Sequence, residues 1–171
     1  KPIGNDSQYW LPSSVIGGLA GSLEACYEMS NCHSSVDVFG NGGAGSLCGE
    51  IKSDGEDVLT MVYNCSASGN VSGREACGGL FGLVYGDVRV SNCYSTGDVF
   101  ITACDFDAWE MGRGGLIGSF RQRSIVYNCF SIGEVFYDSN YNHPKGNLIG
   151  YNDQKAQIYN LYGRDDNNIG F

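Results

Sequence analysis

Along residues 93–99, Cys93, Ser95, Gly97 and Val99 alternate with Tyr94, Thr96 and Asp98. The same rhythm runs through 32–38, 65–71 and 129–135, with small or apolar residues on one parity and mostly polar or bulky ones on the other. A period of two marks a strand, here with an inner face of small side chains. The runs are short, and no segment sustains a 3.6-residue apolar stripe. The pattern predicts an all-β chain built from short strands.

These strands recur on a fixed plan. A Gly-x-Leu-x-Gly phrase occurs five times, with its leucine at Leu19, Leu47, Leu80, Leu116 and Leu148, spaced by 28, 33, 36 and 32 residues. A second phrase follows each: Asn31-Cys32, Asn64-Cys65, Asn92-Cys93, Asn128-Cys129 and Asn160-Leu161. From Leu to Asn the separation is 12 residues in four units and 17 in the second. The five extra residues are expected in the polar stretch Lys52-Ser53-Asp54-Gly55-Glu56-Asp57. Units of roughly 30 residues with only short strands cannot bury a face alone and must stack on their neighbours. Stacking in register puts like on like. It predicts a parallel β-solenoid (β-helix) of about five coils with long corner loops, its rungs ~4.8 Å apart. Asn suits a corner, because it tolerates the left-handed conformation and its amide can bond to the Asn above. Glycines before each Leu suit a tight bend where backbones meet. A barrel would need hairpin turns, which these units lack. Residues 1–14, with Tyr9, Trp10 and Leu11, are expected to cap the N-terminal end. Residues 15–163 would form the solenoid, and 164–171 a weak cap or the start of further coils.

The pattern Gly-Gly-Leu-x-Gly, about a dozen residues, then Asn-Cys-x-Ser-x-Gly-(Asp/Glu)-Val resembles the GLUG repeat. Gly114-Gly115-Leu116-Ile117-Gly118 with Asn128-Cys129-Phe130-Ser131-Ile132-Gly133-Glu134-Val135 is a near-ideal copy, and the unit of Leu80 and Asn92 is another. The first unit departs by Val36 for Gly, the second by Ala67 for Ser, and the fifth loses the Cys and breaks off. Proteins bearing such repeats are typically large bacterial surface or secreted proteins: adhesins, hemagglutinin-like exoproteins, and immunoglobulin A proteases whose catalytic domain lies elsewhere. The resemblance implies a scaffold without catalytic residues, an extracellular or cell-surface location, and other domains in a longer parent chain.

Composition narrows the partners. Glycine, 26 of 171 residues, is about twice ordinary usage, but 3 prolines and no Gly-X-Y period exclude collagen. Ten Lys and Arg against 19 Asp and Glu give a net charge of −9. Without a basic stripe, nucleic acid is not an expected partner. No run of 18 apolar residues exists, so no transmembrane segment is expected. The chain opens on Lys1-Pro2 without Met and reads as a processed product or part of something longer.

Several residues could carry chemistry. Of eight Cys, Cys32, Cys65, Cys93 and Cys129 fall on the inner parity and are expected as buried thiols. Rungs ~4.8 Å apart exceed the ~3.8 Å Cβ separation that a disulfide prefers. Cys26, Cys48, Cys77 and Cys104 lie elsewhere, and a corner disulfide between Cys77 and Cys104 stays open. Without a Cys-x-x-Cys spacing and with only two His, zinc is not expected. Gly40-Asn41-Gly42-Gly43-Ala44-Gly45 matches a dinucleotide-binding phrase, but strand phrases rather than a helix follow it, so it reads as a glycine-rich corner. His33 and His143 are the only histidines, and His33 is expected as an exposed strand residue rather than a general base. An outward column of Asp37, Asn70, Asp98 and Glu134 is expected to be a solvated polar face. A weak Ca²⁺ site at Asp37, Asp98 and Glu134 is the alternative, and no other cofactor is expected. The sequons at Asn64 and Asn70 are discounted, since Asn64 sits at the stacked corner.

The two longest corners attract most attention. One carries Asp105, Phe106, Asp107, Trp109 and Glu110; the next carries Tyr137, Asp138, Tyr141 and His143. Register would set them side by side as an aromatic and acidic patch, the combination that stacks sugar rings and accepts from their hydroxyls. The competing expectation is that these aromatics pack over the core edge. The expected function is a noncatalytic extracellular adhesion or ligand-presenting module, its partner a host or matrix surface ligand such as a glycan. A passive stalk is the second class and a β-helical carbohydrate-active enzyme the third. Ice binding would want regular Thr arrays, which are lacking.

Overall fold

The structure, a computed structural model, describes residues 14–53, 58–102, 112–136, 145–163 and 169. Every described element is a strand, and every strand pairing is parallel. The fold is an all-β parallel solenoid. Its coils run over 16–40, 44–73, 77–101, 113–136 and 145–162. Among the described residues, three turns are enclosed by neighbours on both sides, and the first and fifth form the ends.

Each coil visits the same faces in the same order. The first face stacks the short strands Ile16–Gly17, Ala44–Gly45, Cys77–Gly78, Arg113–Gly114 and Lys145–Gly146. The second stacks Ala20–Glu24, Cys48–Ser53, Phe81–Gly86, Ile117–Phe120 and Ile149–Asn152. The third is split by the Asn corner in the early coils, as Val88–Ser91 and Tyr94–Ser95, and runs unbroken as Ile125–Ser131 and Gln157–Tyr162 later. The fourth stacks four strands: Val38–Gly40, Val71–Gly73, Val99–Ile101 and Val135–Phe136.

The Gly-x-Leu-x-Gly phrase makes the bend between the first two faces. Its first glycine is required by close approach. A Cβ on Gly78 would lie 2.0 Å from the Phe81 carbonyl oxygen, and one on Gly114 would lie 2.2 Å from that of Ile117. Their φ angles are ordinary; among described glycines only Gly86, at 92°, is left-handed. Across the bend the Leu80 N–H donates to Leu116 O, and the Leu116 N–H to Leu148 O, both at 2.9 Å. Leu47, Leu80, Leu116 and Leu148 form one fully buried column within a single core, beside Phe81, Val84, Phe120, Val62, Val90, Val126 and the thiols. Leu19 continues the column by hydrogen bonding to Leu47 but ends it 56% exposed.

A second, smaller core was not foreseen in the sequence. Val38, Val71 and Val99 of the fourth face meet Ala44 and Cys77 of the first, with Ile16, Ile101 and Val135 at the edges. In the fourth coil the position of Ala44 and Cys77 passes to Arg113, and in the fifth to Lys145. Arg113 is buried, and its guanidinium donates to the Arg74 carbonyl at 3.1 Å.

The departures from the repeat have local causes. Within a coil, Gly79 and Gly115 face Ser95 and Ser131 so closely that an added Cβ would meet the hydroxyl at 2.1 and 2.6 Å. The second coil carries Ser46 for that glycine and Ala67 for that serine, so one side shrinks where the other grows. Gly69, Gly97 and Gly133 each lie against the preceding rung's backbone, with a Cβ at Gly97 falling 2.1 Å from Gly69 O. Val36 takes this position in the first coil, where it is 51% exposed. The extra residues of the second coil leave between Ser53, paired with Gly86, and Thr60, paired with Val88. Lys52 and Ser53 stay in the strand, so the insertion starts later than the polar stretch suggested.

The glycine-rich phrase at Gly40 is a bend between Val38–Gly40 and Ala44–Gly45, followed by another strand. The expected cap at Tyr9, Trp10 and Leu11 lies outside the described residues. At the other end Ile169 forms a parallel bridge with Ile149 of the fifth coil.

Candidate binding flank

The third and fourth faces turn side chains at alternate positions outward, and stacking makes each position a column. Asn31, Asn64, Asn92, Asn128 and Asn160 all adopt left-handed φ, between 48° and 54°. Asn64 donates its amide to Asn31 Oδ1 at 3.4 Å, and Asn160 to Asn128 Oδ1 at 3.1 Å. The corner thus has the geometry that its residue type implies.

Two positions on, His33, Ser66, Tyr94, Phe130 and Tyr162 align. His33 is exposed, with Nδ1 2.8 Å from the Ser66 hydroxyl. Tyr94 and Phe130 stack with ring centroids 4.9 Å apart and planes within 3°. On the fourth face Phe39, Ser72, Phe100 and Phe136 align, and Phe100 stacks on Phe136 at 4.9 Å and 6°. Between these ladders lie exposed Ile132 and the acidic column.

That column is a hydrogen-bonded ladder. Asp37 Oδ1 accepts the Asn70 N–H at 2.7 Å, Asn70 Oδ1 accepts from Asp98 at 3.0 Å, and Asp98 Oδ1 from Glu134 at 2.8 Å. The side chains of Asp37, Asn70 and Asp98 each satisfy the backbone of the next rung, and Asn70 separates Asp37 from Asp98. Among the described residues no group of three or more His, Cys, Asp or Glu is placed to hold a metal ion, so the calcium alternative at Asp37, Asp98 and Glu134 gains no support. Asp37 and Asp98 each accept a backbone N–H group from the next rung.

The binding residues expected in the corners, Asp105, Phe106, Asp107, Trp109 and Glu110 with Tyr137, Asp138 and Tyr141, lie outside the described residues, as do His143 and Cys104. Their points of departure and return are described. Val99 and Phe100 pair with Val135 and Phe136, and Arg113 and Gly114 with Lys145 and Gly146. The strands that bound both segments therefore lie on adjacent rungs at each end. The aromatic ladders themselves were missed in the sequence. Their signal was there, since Tyr94 with Phe130 and Phe100 with Phe136 hold equivalent places in the repeat.

Inside the third face, Cys32, Cys65, Cys93 and Cys129 form the expected thiol column and are not disulfide-bonded. Each donates to the carbonyl two residues earlier: Cys32 to Ser30, Cys65 to Tyr63, Cys93 to Ser91 and Cys129 to Tyr127, at 3.1–3.3 Å. The Cys65 and Cys93 N–H groups donate to the next sulfur, Cys93 Sγ at 3.4 Å and Cys129 Sγ at 3.3 Å. Hydrogen bonding to Cys129, with burial, pushes Cys93 up to about 12, and the matching bond holds Cys129 below the usual thiol range. Cys65 is raised by its bond to Cys93 and by burial, and burial raises Cys48 to about 11. Thiols so protonated make poor nucleophiles. Cys77 is buried in the second core; its suggested pairing with Cys104 falls outside the described residues.

Fold and flank together define a class: a parallel β-solenoid repeat protein whose equivalent side chains run in columns inside and out. No family model, no curated protein and no solved structure matches the chain. The resemblance to GLUG repeats rests on its two phrases. No helix among the described residues is long and apolar enough to cross a membrane.

Proposed function

We propose that the chain is a noncatalytic, ligand-presenting module of an extracellular or cell-surface protein, with a glycan on a host or matrix surface as its ligand. One observation carries this reading. The two segments rich in aromatic and acidic residues follow strands paired at Phe100 and Phe136 and precede strands paired at Arg113 and Lys145. Two loops anchored side by side on a rigid stack can present one combined surface, and insertions on one flank of a solenoid are commonly its binding face. The acidic column supports a scaffold role, since its oxygens are engaged with backbone N–H groups rather than gathered as an acid–base pair.

A passive stalk is the second reading, favoured by the same internally satisfied ladders. A glycan and matrix-protein array separates them. The ligand-presenting module gives hits that Trp109→Ala abolishes while the melting temperature stays within a few degrees. A blank array supports the stalk. A Trp109→Ala variant with a large drop in melting temperature assigns that aromatic to packing.

A further inference from the structure

We propose that the interior thiol column of Cys32, Cys65, Cys93 and Cys129 binds soft, two-coordinate monovalent metal ions such as Cu(I) or Ag(I), each held between the sulfurs of adjacent rungs. Register aligns these residues, because the positions beside them pair directly: His33 with Ser66, Ser66 with Tyr94, and Tyr94 with Phe130. The Cys65 N–H reaches Cys93 Sγ at 3.4 Å and the Cys93 N–H reaches Cys129 Sγ at 3.3 Å, so each thiol lies against the next rung of the column. Rungs repeat at ~4.8 Å. Two metal–thiolate bonds of about 2.3 Å set end to end span about 4.6 Å, close to that repeat. The same spacing is too wide for a relaxed disulfide, whose Cβ atoms sit ~3.8 Å apart, so stacking opposes oxidation and keeps the ligands available.

Ligand type and number select the ion. Sulfur-only coordination favours soft cations. Among the described residues no group of three or more His, Cys, Asp or Glu is placed to hold a metal ion, so the site proposed for the column is two-coordinate. The neighbouring thiols and burial hold Cys65 and Cys93 protonated in the free chain, so metal binding must displace those protons. Backbone N–H groups of Cys65 and Cys93 already point at Cys93 Sγ and Cys129 Sγ, and such hydrogen bonds stabilise metal-bound thiolates. Each ion displaces two thiol protons to solvent, so a site gains one net negative charge and no oxidation state changes. Cys32, half-buried at the first rung, is the way in.

The test is Cu(I) titration under anaerobic conditions against a coloured chelator that reports free ion. Because Cys26, Cys48, Cys77 and Cys104 can take Cu(I) on their own account, the quantity read is a difference between chains. The wild-type chain should bind two more Cu(I) than the Cys65→Ala/Cys93→Ala variant, which leaves Cys32 and Cys129 three rungs apart. X-ray absorption should show the additional ions with two sulfur neighbours. Equal uptake by the two chains, or three sulfurs around those ions, overturns the proposal. Should the double variant fail to fold, Cys129→Leu serves instead, copying Leu161 at the same place in the fifth coil. It must lower uptake by one ion, and an unchanged uptake overturns the proposal equally.

Discussion

The first coil and the third are written in the same phrases yet obey different rules. Leu80 is fully buried and Leu19 is 56% exposed; Gly97 admits no Cβ, whereas Val36 holds the equivalent place, 51% exposed. Cys93 is sealed in the core and Cys32 only half-buried. Nothing intrinsic to a coil demands glycine, leucine or cysteine at these points. The demand comes from the rung on either side, and it relaxes where the described stack ends. Such nearest-neighbour dependence is what makes a solenoid's stability a sum over coils and their contacts.

The sharpest way to break this comparison is to exchange residues between the two coils. Gly97→Val drives a side chain into the Gly69 carbonyl and should cost more than about 4 kcal/mol or abolish folding, whereas Val36→Gly should move stability by less than about 1 kcal/mol. Chemical denaturation of both variants reads the contrast, and equal effects would refute it. Next in size, Leu80→Ala should cost about 2–5 kcal/mol, against roughly 0.5 kcal/mol for Leu19→Ala. A costly Leu19→Ala would mean that this residue is covered in solution. At the corner, Asn92→Ala should lose about 1–2 kcal/mol through its left-handed φ, and Asn92→Gly should recover most of it.

The smallest effect is electrostatic. Arg123 of the fourth coil grips Asp87 of the third with two bonds of 2.6 and 2.7 Å, and this holds the Asp87 carboxyl below its ordinary range. A carboxylate depressed in the folded state contributes stability that is full above its unfolded pKa and is lost as pH falls through the folded one. With the Arg123 side chain 71% exposed, screening keeps the contribution below about 1 kcal/mol. Arg123→Gln should therefore lower stability slightly at neutral pH and flatten its acid-side decline. Across the first two rungs, the Tyr63 hydroxyl and then Ser30 hold Glu28 low in the same sense.

Much of the fold was legible because the repeat constrains backbone and core together. Leu-to-Asn spacing, strand parity and the corner asparagines gave the parallel stack, its register and the thiol column without coordinates. The second core was not legible. Its partners, such as Val71 with Ala44, lie almost a full coil apart in sequence, and Arg113 breaks the apolar column that would have marked it. For the flank, the two long insertions could be read, because they stand out against a period, and the strands that bound them fall on adjacent rungs. The role of Asp37, Asn70, Asp98 and Glu134 could not. A column of acids reads alike whether it faces cations or the N–H groups of the next rung, and only geometry tells them apart.

The five extra residues between Ser53 and Thr60 carry a practical lesson. Ser53 and Thr60 stay in step with Gly86 and Val88 on the neighbouring coil although five more residues separate them. A corner of this kind is a splice point. Foreign peptide sewn in there would ride on the outside of the spindle while the columns beneath carried on counting as before.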